Sequence, residues 1–274
     1  MTNSGAPHTA AISASRDYGG SALRYDGATE PQQSRAVAVE TAINIVYGDT
    51  PYAVMMTTPA DIEDFVIGFS ITEGVVERAD EIRGVEIVQS HDGYVVSASL
   101  KPDALRRHLA RRRNLSGRTS CGLCGVESLD QIPSASGRVR GAAIRASAFA
   151  SALQALADRQ PLFAETRATH AAAWCDGQGA VSLVREDVGR HNALDKMIGA
   201  CLRARIAPAD GFVLITSRCS FEMIEKTAIF GAATLVSVSA PTSLAIDRAK
   251  ALGVTLVAVA RNDGAIIFAD AAGK

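Results

Sequence analysis

Apolar side chains at every second position, Val37, Val39, Ile43 and Ile45, open the patterned part of the chain as strand, and Tyr47-Gly48-Asp49 offers a turn before a second strand over Tyr52–Thr58. The spacing then changes. Thr58-Pro59-Ala60-Asp61 is a helix start with acids in the first turn, and a helix is predicted over Ile62–Gly74 with Phe65, Val66 and Phe69 on one face. Val85–Ser90 and Tyr94–Leu100 flank His91-Asp92-Gly93 and read as a hairpin, and Asp103–Arg113 reads as a short helix. Residues 35–113 therefore predict a small α+β domain. The preceding residues, 1–34, are rich in Ser, Ala, Gly, Thr and Gln without periodicity and are expected to form a disordered tail.

Residues 114–142 hold many glycines and serines and little apolar pattern, which predicts a mobile loop and linker. Regular alternation returns afterwards. Helices are expected over Ser147–Arg159, Asn192–Arg205, Ser220–Gly231 and Thr242–Leu252. Strands are expected over Thr169–Cys175, Ala180–Arg185, Phe212–Thr216, Leu235–Ser239, Val254–Ala260 and Ala265–Ala269. Strands alternating with helices make residues 143–274 an α/β domain whose sheet is covered by helices. The fold class is α/β overall, with no internal repeat and no heptads.

Composition narrows the function classes. The 274 residues are 47% hydrophobic, enough for a core, and carry a formal net charge of −1, so no global basic field for nucleic acid exists. The longest apolar runs, such as Val254–Ala260, have strand length, whereas a membrane span needs about 20 residues. Met1–Gly20 has no apolar segment of a secretory signal, and five cysteines make an odd count. Both features are expected of a cytoplasmic protein in a reducing compartment. Only five of the 28 basic residues are lysine, so arginine carries nearly all the positive charge.

The sharpest chemical feature is Ser120-Cys121-Gly122-Leu123-Cys124-Gly125. Two thiols three residues apart can meet on one turn, a spacing used for metal binding, dithiol redox work and sulfur transfer. A structural zinc wants four ligands, and no second pair is present; Cys175, Cys201 and Cys219 fall in strand, helix and strand-end positions suited to small buried hydrophobes. A thioredoxin-like site follows a strand and opens a helix, whereas a glycine-bearing loop precedes this pair. A zinc-stabilised nucleotide-binding module and a dithiol oxidoreductase remain as alternatives. Sulfur transfer fits the setting better, because a persulfide carrier must visit a donor and then an acceptor, and Gly117, Gly122 and Gly125 give the loop that freedom. The attacking species is the thiolate, which nearby cations favour. Arg106, Arg107, Arg111, Arg112, Arg113 and Arg118 precede the pair, and no acid stands between Asp103 and Glu127.

In open α/β sheets ligands sit outside the carboxyl ends of the strands, where helix N-termini attract anions. Three such turns carry matching chemistry: Glu186-Asp187-Val188-Gly189-Arg190-His191-Asn192, Thr216-Ser217-Arg218-Cys219-Ser220 and Ser239-Ala240-Pro241-Thr242-Ser243. Their hydroxyls and N–H groups, with Arg190, His191, Arg218 and Thr242, are candidates to hold an anionic ligand, although Ser, Thr and Pro also cap helices for stability alone. A fourth segment, Val259-Ala260-Arg261-Asn262-Asp263-Gly264, leaves the last long strand and turns back, with Arg261 and Asn262 placed to reach a guanine or a phosphate. No Walker A pattern and no helix-opening G-x-G-x-x-G exists, so ordinary ATP and dinucleotide modes lack support.

Five stretches together resemble the formate dehydrogenase accessory sulfurtransferase family (FdhD): Met55–Pro59 through Glu73-Gly74, Cys121–Gly125, EDVGRHNALDK over Glu186–Lys196, TSRCSFEMIEK over Thr216–Lys226, and SAPTSLA over Ser239–Ala245. The resemblance implies a cytosolic homodimer whose C-terminal half is a three-layer mixed sheet like the cytidine deaminase fold without its zinc ligands, so that no protein-held metal is expected. It implies that a cysteine desulfurase loads sulfane sulfur onto the CxxC loop. The sulfur then passes to the molybdenum, or tungsten, of a bis(molybdopterin guanine dinucleotide) cofactor destined for formate dehydrogenase, and GDP-like moieties fit the same site. Cys121 matches the persulfide-carrying position and Cys124 its partner. Val259, Ala260, Arg261, Asn262, Asp263 and Gly264 match the cofactor-binding stretch. Val259 departs from the aromatic expected there, which removes a stacking ring at that position.

Overall fold

The computed structural model describes residues 13–26, 29–113, 134–135 and 137–271. Cys121 and Cys124, with most of the expected CxxC loop, lie outside the described residues. Twelve strands and seven α-helices follow one another among those described. They are β1 (Ser15–Leu23), β2 (Thr29–Ala38), β3 (Thr41–Tyr47), β4 (Thr50–Thr57), α1 (Ile62–Thr72), β5 (Ile82–Ser90), β6 (Gly93–Leu100) and α2 (Pro102–Arg113) in the first half. The second half holds α3 (Ala146–Ala157), α4 (Pro161–Thr166), β7 (His170–Asp176), β8 (Val181–Asp187), α5 (Arg190–Arg203), β9 (Gly211–Ile215), α6 (Phe221–Phe230), β10 (Thr234–Ser237), α7 (Ser243–Leu252), β11 (Thr255–Arg261) and β12 (Gly264–Ala269). No helix among the described residues is long and apolar enough to cross a membrane.

The small domain is a four-stranded sheet in the order β4-β3-β6-β5, with β3 and β6 parallel and both flanking pairs antiparallel. Ile43, Ile45 and Tyr47 alternate onto one face and bury against Phe65, Val66 and Phe69 of α1. Helix α1 is buried nearly all round, not on the one stripe that its apolar spacing predicts, because its other side packs on α5 of the second domain.

The second domain is a three-layer α/β unit. Its mixed sheet runs β12-β11-β10-β9-β7-β8, with β9, β10 and β11 parallel. Helices α5, α6 and α7 cover one face over Trp174, Val213 and Leu235. Helix α3 covers the other through Ala148, Ala152 and Leu156. The carboxyl ends of β8, β9, β10 and β11 share one edge of the sheet, because β8 and β9 both run antiparallel to β7. A bridge between Cys219 and Pro241 ties the turns that open α6 and α7.

The expected tail is corrected in part. From Ser15, β1 pairs antiparallel with β2, with Arg16 opposite Val37 and Tyr18 opposite Arg35. The hairpin is exposed on both faces, so no apolar alternation marks it in the sequence; its ladder and a 2.9 Å hydrogen bond from Ser15 Oγ to Glu165 hold it instead. Helix α4 carries no sequence signal either, since six residues are too short to show a helical period.

Candidate functional site

The two domains are clasped by buried charge, and the residues doing so come from the sequence strings singled out above. The Asp187 carboxylate accepts from Thr57 Oγ1 at 2.6 Å, the Thr58 and Gly189 N–H groups at 3.0 and 2.7 Å, and Asn192 Nδ2 at 3.0 Å. Lys196 Nζ lies 2.6 Å from the same carboxylate with both side chains fully buried, and it also donates to Thr58 O. Burial lowers the Lys196 pKa, and Asp187 opposes that shift. At the adjacent position of α5, Asp195 accepts from Thr72 Oγ1 and from Lys226 Nζ, which also reaches Glu73. Burial opposes the Lys226 charge, yet Asp195 and Glu73 raise its pKa above the ordinary lysine value. Asp64 of α1 completes the seam by accepting from Arg185 and Arg203 at 2.7 Å each. Asp187, Asn192, Asp195, Lys196 and Lys226 thus hold the domains in register.

Beside this seam, where the strands end, is a cavity of about 630 Å³, within the size range of small-ligand sites. Thr216, Val238, Ala260, Arg261 and Asn262 line it from the ends of β9, β10 and β11. Leu153, Leu156 and Ala157 of α3 and Phe163 and Arg167 around α4 close the other side, and His170, at the start of β7, lies at the same sheet edge as Thr216. Glu186 fixes the α4 side: its carboxylate accepts from the N–H groups of Leu162 and Phe163 at 2.9 and 2.7 Å and from Thr169 Oγ1 at 3.1 Å. It thereby serves the open N-terminus of α4, which has no side-chain cap of its own.

Two residues at this edge are held in left-handed backbone conformation. Val259 has φ 54°, where β11 shifts register against β12 between Ala258 and Arg261, and Arg167 at the end of α4 has φ 59°. A β-branched residue there is strained by about 1–3 kcal/mol. The bulge redirects the chain that carries Ala260, Arg261 and Asn262 into the cavity wall. Arg261 donates to the carbonyls of Val238 and Ala260, which pins its guanidinium at the mouth. The Arg167 guanidinium lies over the Phe163 ring, 5.2 Å from its centroid.

The structure separates the expected ligand residues into groups. Ala260, Arg261 and Asn262 line the cavity; Val259 precedes them at the bulge, and Asp263 and Gly264 form the turn into β12. Arg190, His191, Arg218 and Thr242 do not line it. Thr242 caps α7 by accepting the Ala245 N–H at 3.3 Å. His191 Nε2 lies 2.7 Å from Glu222 Oε2, a contact that lowers the Glu222 pKa. Arg190 borders the cavity electrostatically: burial, then the Arg190 charge, lowers the pKa of His170 in the cavity wall. The Nε of Arg190 and the Oγ of Ser220 are buried without a hydrogen-bond partner among the described residues. Arg218 is exposed.

Phe163, Arg167 and His170 were not among the expected site residues. A single aromatic and a single histidine in an irregular stretch carry no sequence period, and only the fold brings them to the cavity that Arg261 lines. Of the arginines expected to favour a thiolate, Arg106 and Arg107 pair with Asp103 and Glu81, and the side chains of Arg111, Arg112, Arg113 and Arg118 lie outside the described residues. Cys175, Cys201 and Cys219 are buried, and burial pushes each thiol up to about 12, so all three are protonated at neutral pH. Among the described residues, no group of three or more His, Cys, Asp or Glu is placed to hold a metal ion.

The model of the FdhD/NarQ family matches residues 38–273. A protein of Bordetella petrii named "Sulfur carrier protein FdhD" is 47% identical over 237 residues, covering 86% of this chain and 85% of the relative. A protein of Xanthomonas euvesicatoria pv. vesicatoria with the same name is 44% identical over 246 residues, covering 89% and 88%. A crystal structure assigned to a formate dehydrogenase accessory protein from Desulfotalea psychrophila superposes with a TM-score of 0.73 at 25% identity, covering 93% of this chain and 97% of that one.

Proposed function

The chain belongs to the FdhD/NarQ family, and from that premise we propose that it is a sulfur carrier required for formate dehydrogenase activity. The observation that carries this reading is the set of relatives named sulfur carrier proteins, which align over more than four-fifths of the chain. The cavity at the strand ends, with Arg261 and Asn262 on one wall and Arg167 on the other, supports a site for the acceptor.

In this reading the Cys121 thiolate attacks the outer sulfur of a persulfide on a cysteine desulfurase. The S–S bond of the donor breaks, the donor cysteine leaves as thiolate, and Cys121 carries the sulfane sulfur. Delivery reduces that sulfur by two electrons. The Cys124 thiolate attacks the inner sulfur of the Cys121 persulfide, forming a Cys121–Cys124 disulfide and releasing sulfide as a ligand to the metal of the bis(molybdopterin guanine dinucleotide) substrate. An external dithiol then restores both thiols. The disulfide requires Cβ atoms about 4 Å apart, which a single CxxC turn can reach. Arg261 and Asn262 bind a phosphate or guanine of the substrate, and the protein acts in the cytoplasm as a homodimer. Arg190, whose buried Nε has no hydrogen-bond partner among the described residues, adds positive potential behind His170.

The test is to recover formate dehydrogenase from cells lacking this protein and to measure the sulfur ligands on its metal. Metal present with its sulfur missing, restored by wild type and not by Cys121→Ala, is the expected result. A fully sulfurated, active enzyme from the deletion strain overturns the proposal.

A further inference from the structure

The cavity has two chemically different walls. The strand-end wall presents Arg261 and Asn262. The facing wall presents an aromatic ring, Phe163, with the Arg167 guanidinium resting on its face at 5.2 Å from the centroid. The Glu186 carboxylate accepts from the Phe163 N–H at 2.7 Å, which fixes the backbone that carries the ring. Arg167 ends α4 at φ 59° and is exposed, so its side chain has room to leave the ring. A cation on a ring face marks a surface on which a flat, polarisable group can stack, and a guanidinium stacks on such groups as well.

From this arrangement we infer that Phe163 and Arg167 are the base-recognising wall of the cavity: the planar base of the guanine nucleotide lies on the Phe163 ring in place of the Arg167 guanidinium, which moves to cover the base from its other side. The inference rests on the nucleotide reading above and assigns it a ring that the strand-end stretch does not supply, since position 259 is valine. Glu186 acts as a positioning residue, setting the height of the ring through α4. Arg261 and Asn262 on the opposite wall then face the phosphates.

The experiment compares GDP and inorganic pyrophosphate by calorimetry on the full chain. Base stacking on one aromatic side chain is typically worth about 1–3 kcal/mol, so Phe163→Ala is expected to weaken GDP by about tenfold or more and to leave pyrophosphate unchanged. Arg261→Ala is expected to weaken both. Phe163→Trp keeps the ring and adds a reporter: GDP should bind at near wild-type affinity and quench its emission, whereas pyrophosphate should not. Wild-type binding of GDP with equal affinity in Phe163→Ala, or an unquenched Phe163→Trp, overturns the wall and leaves the nucleotide site standing. No GDP binding by wild type overturns the nucleotide reading and this inference with it.

Discussion

Gly68 of α1 and Gly199 of α5 face each other's helix backbone across the domain seam: a methyl group on Gly68 would lie 1.9 Å from the carbonyl oxygen of Asp195, and one on Gly199 would lie 1.9 Å from that of Asp64. The two helices cross this closely because neither carries a Cβ at the contact. The approach brings Thr57, Thr72 and Asp64 of the small domain within hydrogen-bond reach of Asp187, Asp195 and Arg185.

Gly68→Ala or Gly199→Ala must push the helices apart, since backbone cannot yield as a side-chain tip does. Overpacking of this kind costs about 1–3 kcal/mol, and more where buried pairs are strained with it. Urea unfolding should show a lowered midpoint for either substitution, and the double substitution should cost less than the sum, because both relieve the same contact.

Asp187→Ala leaves the Lys196 ammonium buried beside carbonyls with its carboxylate gone. A loss of about 3–5 kcal/mol is expected. Lys196→Met on that background should recover part of it, and a double-mutant cycle by chemical denaturation measures the coupling.

Burial holds the Cys175, Cys201 and Cys219 thiols protonated and out of reach. Iodoacetamide at neutral pH should therefore spare all three in the folded protein, and label them once urea unfolds it. Peptide mass spectrometry reads each site, and labelling of any of them at the rate of the unfolded chain contradicts their placement.

His170 in the cavity wall has its pKa lowered from 6.5, by burial and then by Arg190. The folded state resists a proton that the unfolded chain takes up. The corresponding stability is fully present above pH 6.5 and is lost as the pH falls from there through the folded value. Thermal melts across this range should show a shallower acid decline for His170→Gln than for wild type.

Much of this was legible in the sequence where the period was long and the burial one-sided. The alternation of Ile43 and Ile45, the Asp92-Gly93 turn and the succession of strands and helices from Phe212 to Ala269 follow directly from patterning, and the structure places elements there within a few residues. The hairpin of β1 and β2 was not legible, because a ribbon exposed on both faces needs no apolar alternation. Nor was the purpose of Asp187, Asp195, Lys196 and Lys226. Asp187 stands in a turn that suggests a ligand site and the other three carry no local sign of a role, but their partners lie more than a hundred residues away, or on the next helix, and only tertiary structure shows that they join two domains. Phe163 and Arg167 stayed hidden for the same reason, whereas Arg261 and Asn262 were marked by their place at the end of a buried strand.

The central claim, that sulfur travels on Cys121, is tested most directly by intact-mass spectrometry after incubation with a cysteine desulfurase and cysteine. A mass increase of one sulfur atom, removed by dithiothreitol, is expected in wild type and in a variant lacking Cys175, Cys201 and Cys219, and is expected to be absent in Cys121→Ala. Persistence of the added sulfur in Cys121→Ala would contradict it.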